Sequence, residues 1–146
     1  MKRSKRLQPV ARVARQHERN AASKLGDRLR EAERHQQQLA NLKQYRDEYI
    51  AGFNAAGHQG LTAFQLRDYR LFLKRLDDAI MQQQQQLAAS LANCEQSQSD
   101  WRSRYGHSQM IDKLIQSRKL DENHESNQRE QREQDDRPTS STKDDV

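Results

Sequence analysis

Five histidines, at positions 17, 35, 58, 107 and 124, are the side chains here best suited to proton transfer or metal binding. A helical metal site needs two ligands an i, i+4 step apart on one face, and no two of these histidines have that spacing. Cys94 is the only cysteine, which excludes an internal disulfide and a cysteine-based zinc site. The chain has no glycine-rich phosphate loop, and no Cys–His or Ser–His–Asp set can be argued from it. These residues predict no enzyme activity, no cofactor, no metal and no small-molecule substrate. The chemistry that remains is that of surfaces, where charge and apolar side chains recognise another protein.

The elements that present those surfaces follow from composition. Apolar residues make up 32% of the 146 residues and charged residues another 32%, with 20 glutamines. So little apolar area cannot offset the ordering entropy of a broad core. Only two prolines and five glycines interrupt a chain rich in Ala, Leu, Gln, Glu, Arg and Lys, which are helix formers. Long helices with a narrow apolar seam are the expected outcome, and disorder the alternative. No run approaches the ~20 apolar residues of a membrane span, and the basic start MKRSKR is not followed by the apolar stretch of a signal peptide. The expected compartment is the cytoplasm.

Two heptad seams are present. Positions 11, 18, 25, 32, 39, 46 and 53, with 7, 14, 21, 28, 35, 42 and 49, hold ten apolar or aromatic residues out of fourteen. Pro9 suits a first helical turn, which predicts a helix over about 7–53. Gly52, Gly57 and Gly60 then predict a loop over about 54–61. Thr62 and Gln65 form a capping box, with Leu61 and Leu66 at staple positions. The second helix is predicted over about 62–136. Its row 73, 80, 87, 94, 101, 108 and 115 reads Leu, Ile, Leu, Cys, Trp, Ser, Ile, while its companion row 69, 76, 83, 90 and 97 is mostly polar, so this seam is expected to be one-sided through the glutamine run. Pro138 ends the pattern, and 138–146 is expected to be a disordered tail. The fold class is therefore all-α, a long two-helix antiparallel coiled-coil hairpin over 1–137.

Charge and apolar surface are unevenly placed along it. Residues 1–30 hold ten Lys/Arg against two acids, and residues 121–146 hold four against nine. The stretch YRLFLKRLDDAI at 69–80 carries more apolar residues than one seam needs: Phe72, Leu76 and Ala79 form a stripe beside Tyr69, Leu73, Leu76 and Ile80. An aromatic outside a two-helix seam is expected to await a partner, unless it packs on Phe53 or Phe64.

The residues LKQYRDEYIAGF at 42–53, YRLFLKRLDDAI at 69–80, Trp101 and NQREQREQDD at 127–136 resemble the flagellar export protein FliJ family, over nearly all the chain up to Pro138. The resemblance implies an antiparallel coiled coil similar to the stalk of rotary ATPases. It implies as partners the hexameric flagellar export ATPase, the membrane-embedded export gate and the export chaperones, in support of flagellum assembly, motility and chemotaxis. The site would be the cytoplasm and the cytoplasmic face of the inner membrane. The family's gate contact matches Phe72, Leu76, Ala79 and Gln83. Its ATPase contact at the open end matches Glu130, Gln131, Arg132 and Asp135; Arg12, Arg15 and Arg19 join them on charge and geometry. A stalk of a virulence type III secretion system and a generic coiled-coil spacer remain alternatives. A nucleic-acid binder is a further one, suggested by a pI near 9.6, but the basic segment lacks stacking aromatics and a recognition motif, so no nucleic acid is expected.

Overall fold

The computed structural model describes residues 2–57 and 60–136. Among them it has two α-helices and no strand: α1, Arg3–Gly57, of 55 residues, and α2, Ala63–Asp136, of 74. The helices pack against each other antiparallel, as a helical hairpin. The heptad rows explain why. Every one of the fourteen predicted seam positions on α1, and of the twelve on α2, is buried or half-buried. The predicted tail over 138–146 lies outside the described residues.

Two predicted boundaries shift. Helix α1 starts at Arg3 rather than near Leu7, so Pro9 stands inside the helix instead of in its first turn. Proline there removes one backbone donor, which a helix anchored by seam contacts on both sides tolerates. At the other end α1 runs through Gly52 to Gly57 instead of stopping near 53, because a single helical glycine costs only about 1 kcal/mol and Phe53 is held by the opposite helix. The chain turns at Gly60, whose φ of +83° favours a residue without Cβ. The restart is as the capping box predicts: Thr62 N–H donates to Gln65 Oε1 at 3.0 Å, and Gln65 N–H donates to Thr62 Oγ1 at 3.2 Å.

The described residues divide into two compact units, one of residues 2–19 with 103–136 and one of residues 20–102. In the first, Ala11, Ala14, Ile111 and Ile115 form the core, with Leu7 packed against it and Ser108 wholly enclosed beside α1. In the second, the seam is built from small and polar side chains. Ala21 and Ala32 of α1 and Ser90, Cys94 and Ser97 of α2 are all buried. Small residues let the two backbones approach, and side chains then reach the opposite main chain: Cys94 Sγ donates to the Arg28 carbonyl at 3.1 Å. Gln83 Nε2 donates to the His35 carbonyl at 3.0 Å and to Gln38 Oε1 at 3.2 Å. The seam through the glutamine run is therefore not one-sided. Its polar row is the more deeply buried: Gln83 is tolerated there because its hydrogen bonds are met, and Ser90 and Ser97 are small enough to fit between the helices.

Candidate functional site

The unit of residues 2–19 and 103–136 carries the charged candidates. Its register is set at Ser4, which is buried. Ser4 Oγ donates to Glu122 Oε2 at 2.7 Å, and Ser4 N–H donates to Glu122 Oε1 at 3.1 Å. A carboxylate of α2 thus satisfies one of the orphan N–H groups at the start of α1, where the helix dipole also favours negative charge. The Ser4 hydroxyl, the Ser4 N–H, Lys2 and the Arg3 N–H together hold the Glu122 carboxyl below its ordinary value of 4.5.

Lys2 and Arg3 still border His124 and Glu125, and beyond those residues α2 continues to Asp136. Glu130, Gln131, Arg132 and Asp135 all lie on this extension and are exposed. Arg12, Arg15 and Arg19 are exposed too, with Arg15 Nε bonded back to the Ala11 carbonyl at 3.4 Å. The expected pooling of the two sets does not occur. Glu130 is eight residues beyond Glu122, about 12 Å along the helix at 1.5 Å per residue, and the arginines lie in the other direction from Ser4. They are two separate charged surfaces: a cationic flank on α1 and a mixed acidic–Gln–Arg helix end.

The unit of residues 20–102 holds the other candidates. Phe72 does not stand outside the seam without an internal partner. Its ring packs against Tyr49, with centroids 4.5 Å apart, and edge-on against Tyr45 at 6.2 Å. Tyr69 continues the ladder, stacked on Tyr49 at 5.4 Å and on Phe53 at 3.5 Å. The ring partners of Phe72 are thus the tyrosines of α1, while Phe53 stacks on Tyr69 and Phe64 is 70% exposed. Leu76 and Gln83 are buried against α1, and Phe72 and Ala79 are half-buried. Of the four, Phe72 and Ala79 keep surface that a partner can touch. Arg46 and Asp77 add an ion pair between the helices at 2.5 Å, which was not foreseen from the sequence. The mutual attraction raises the Arg46 pKa further. Its sequence signal was Arg46 on a seam position, where an arginine needs an acid at the matching height.

Among the described residues no group of three or more His, Cys, Asp or Glu is placed to hold a metal ion, and no helix is long and apolar enough to cross a membrane. What the molecule offers is two long helices with a narrow seam and exposed charged or aromatic flanks. That defines a class, the two-helix hairpin proteins. The family model described as Flagellar FliJ protein matches residues 3–140. The chain belongs to that family, a family of non-enzymatic structural or escort proteins, and so has a flagellar export-related role as an export-apparatus component with protein partners. Comparison with curated proteins and with solved structures returned no match.

Proposed function

We propose that this chain acts in the cytoplasm, and peripherally at the inner membrane's cytoplasmic face, as the stalk-like coiled coil of the flagellar export apparatus. It binds the hexameric export ATPase and the export gate, and it escorts export chaperones. The observation that carries this reading is the α2 extension beyond the Ser4–Glu122 contact. There α2 has no apolar residue from Asp121 to Asp136, and Glu130, Gln131, Arg132 and Asp135 are exposed on it. A helix of this kind is held by charge alone, so it can sit in a ring's central pore and still turn or release. Because its charges are unevenly spread, it favours one subunit state at a time, which couples hydrolysis to rotation or ring assembly. Arg12, Arg15 and Arg19 supply a second, cationic contact with the ring. On the other unit, Phe72 and Ala79 meet the gate, with Leu76 and Gln83 beneath them fixing the height and angle of that flank.

The test is ATP hydrolysis by the flagellar export ATPase of the same organism against added protein, with light scattering to count subunits. A saturable rise together with more hexamer is expected, and it should fall on Arg12→Glu, Arg15→Glu and Arg19→Glu combined. No complex and no change in rate would overturn the ATPase reading and leave the Phe72 flank as the working surface.

A further inference from the structure

In the unit of residues 2–19 and 103–136, two stripes border a groove that neither the seam nor the charged surfaces use. On α1 the stripe is Arg3, Arg6, Val10, Val13 and His17, and on α2 it is Arg104, His107, Leu114 and Arg118; both climb in steps of three and four, with Ile111 filling the α2 gap inside the core. The depression beside Val10 and Val13 is open and measures about 470 Å³, and that between Leu7 and Leu114 about 230 Å³. The middle of the groove is apolar: Val10 is 47% exposed, Val13 55% and Leu114 41%. Both ends carry basic side chains, with Arg3, Arg6 and Arg118 at one and Arg104 beside His17 at the other, while Asp121, Glu122 and Glu125 stand beside Arg3 and Arg118 just beyond the first. No acidic side chain lines either stretch.

We propose that this groove docks an acidic amphipathic helix of a partner protein. Arg3 to His17 is a rise of about fourteen residue steps, about 21 Å at 1.5 Å per residue, the length of a four-turn helix. A ligand helix with apolar side chains at i, i+3 or i+4, and i+7 would fill the middle, and carboxylates at its flanks would meet the arginines at both ends. A second copy of this chain suits the groove poorly, because it would bring the same basic ends face to face. A lipid surface suits it less than a helix, because the apolar middle is two valines and a leucine, whereas membrane-binding faces carry Trp, Phe and Leu in a continuous stripe. On a helical wheel Arg12, Arg15 and Arg19 fall on the opposite flank of α1 from Val10 and Val13. The groove is therefore a surface separate from the proposed ATPase contact and does not depend on it.

The experiment uses the full chain and a fluorescent four-turn synthetic helix with leucines at i, i+3, i+4 and i+7 and glutamates on its flanks. Fluorescence anisotropy at physiological salt should show saturable binding. Val10→Ser with Val13→Ser, and separately Arg6→Glu, should each weaken it roughly tenfold or more, with helicity by circular dichroism unchanged because all three residues are exposed. Arg12→Glu, Arg15→Glu and Arg19→Glu should leave it intact. The proposal is overturned by absence of saturation, by equal binding of a lysine-flanked version of the helix, or by serine variants that bind as the parent does. It is also overturned if phosphatidylglycerol vesicles, and not the peptide, bind through the valines, or if the valines instead hold a dimer in sedimentation.

Discussion

Glu122 and Ser90 show what single residues contribute. The Glu122 carboxyl is held below its ordinary pKa by hydrogen bonds from Ser4. Its folded-state pKa therefore lies below its unfolded one, so the stabilisation is present above the unfolded pKa and is lost as pH falls through the folded pKa. The unfolding midpoint of Glu122→Gln should accordingly lie below the parent's at neutral pH, and the gap should close in acid below the ordinary glutamate range. A gap of constant size across that range in thermal melts would refute the cap. Ser90 is the opposite case: its hydroxyl is buried between the helices and makes no hydrogen bond. Ser90→Ala removes an unsatisfied polar group without opening much space, so stability in urea should rise by about 1 kcal/mol.

At the scale of elements, α2 depends on its first turn. The Thr62–Gln65 box supplies two reciprocal bonds, and Thr62→Ala should cost about 1 kcal/mol. Hydrogen exchange should locate the loss in residues 63–66, since the next turns are held by the aromatic ladder. That ladder stabilises the hairpin more than the cap does. Tyr69 stacks on both Phe53 and Tyr49 while remaining half-buried, so Tyr69→Ala should cost about 2 kcal/mol, less than for a fully buried aromatic. The cap was legible in the sequence because its two partners are three residues apart. The ladder was not, because it joins residues from two helices and only their relative height brings the rings into contact.

For the whole molecule, the residues proposed to bind partners are not those that hold the helices together. Glu130, Gln131, Arg132 and Asp135 are all exposed, so replacing all four with alanine should leave the unfolding free energy within about 0.5 kcal/mol of the parent's. Under the proposed role in the export apparatus, the same variant should lose its stimulation of the ATPase. A large drop in stability would instead make these residues structural. A seam of small residues holds the helices, and most long charged side chains are exposed.

The sequence by itself determined the two helices, their seam rows and the capped restart, because periodicity and capping are local properties that a helix expresses wherever it is placed. It also carried the family, through the blocks at 42–53, 69–80 and 127–136. The tertiary structure alone decided the register. That register put Glu122 under Ser4, took Gln83 and Ser90 into the seam, turned Phe72 onto Tyr49, and left Arg12, Arg15 and Arg19 apart from Glu130 and Asp135. A heptad pattern specifies which face of a helix is covered but repeats every seven residues, so sliding one helix by a heptad keeps the pattern. Only the actual contacts, among them the close approach that small side chains allow, select one alignment and with it which charges can meet.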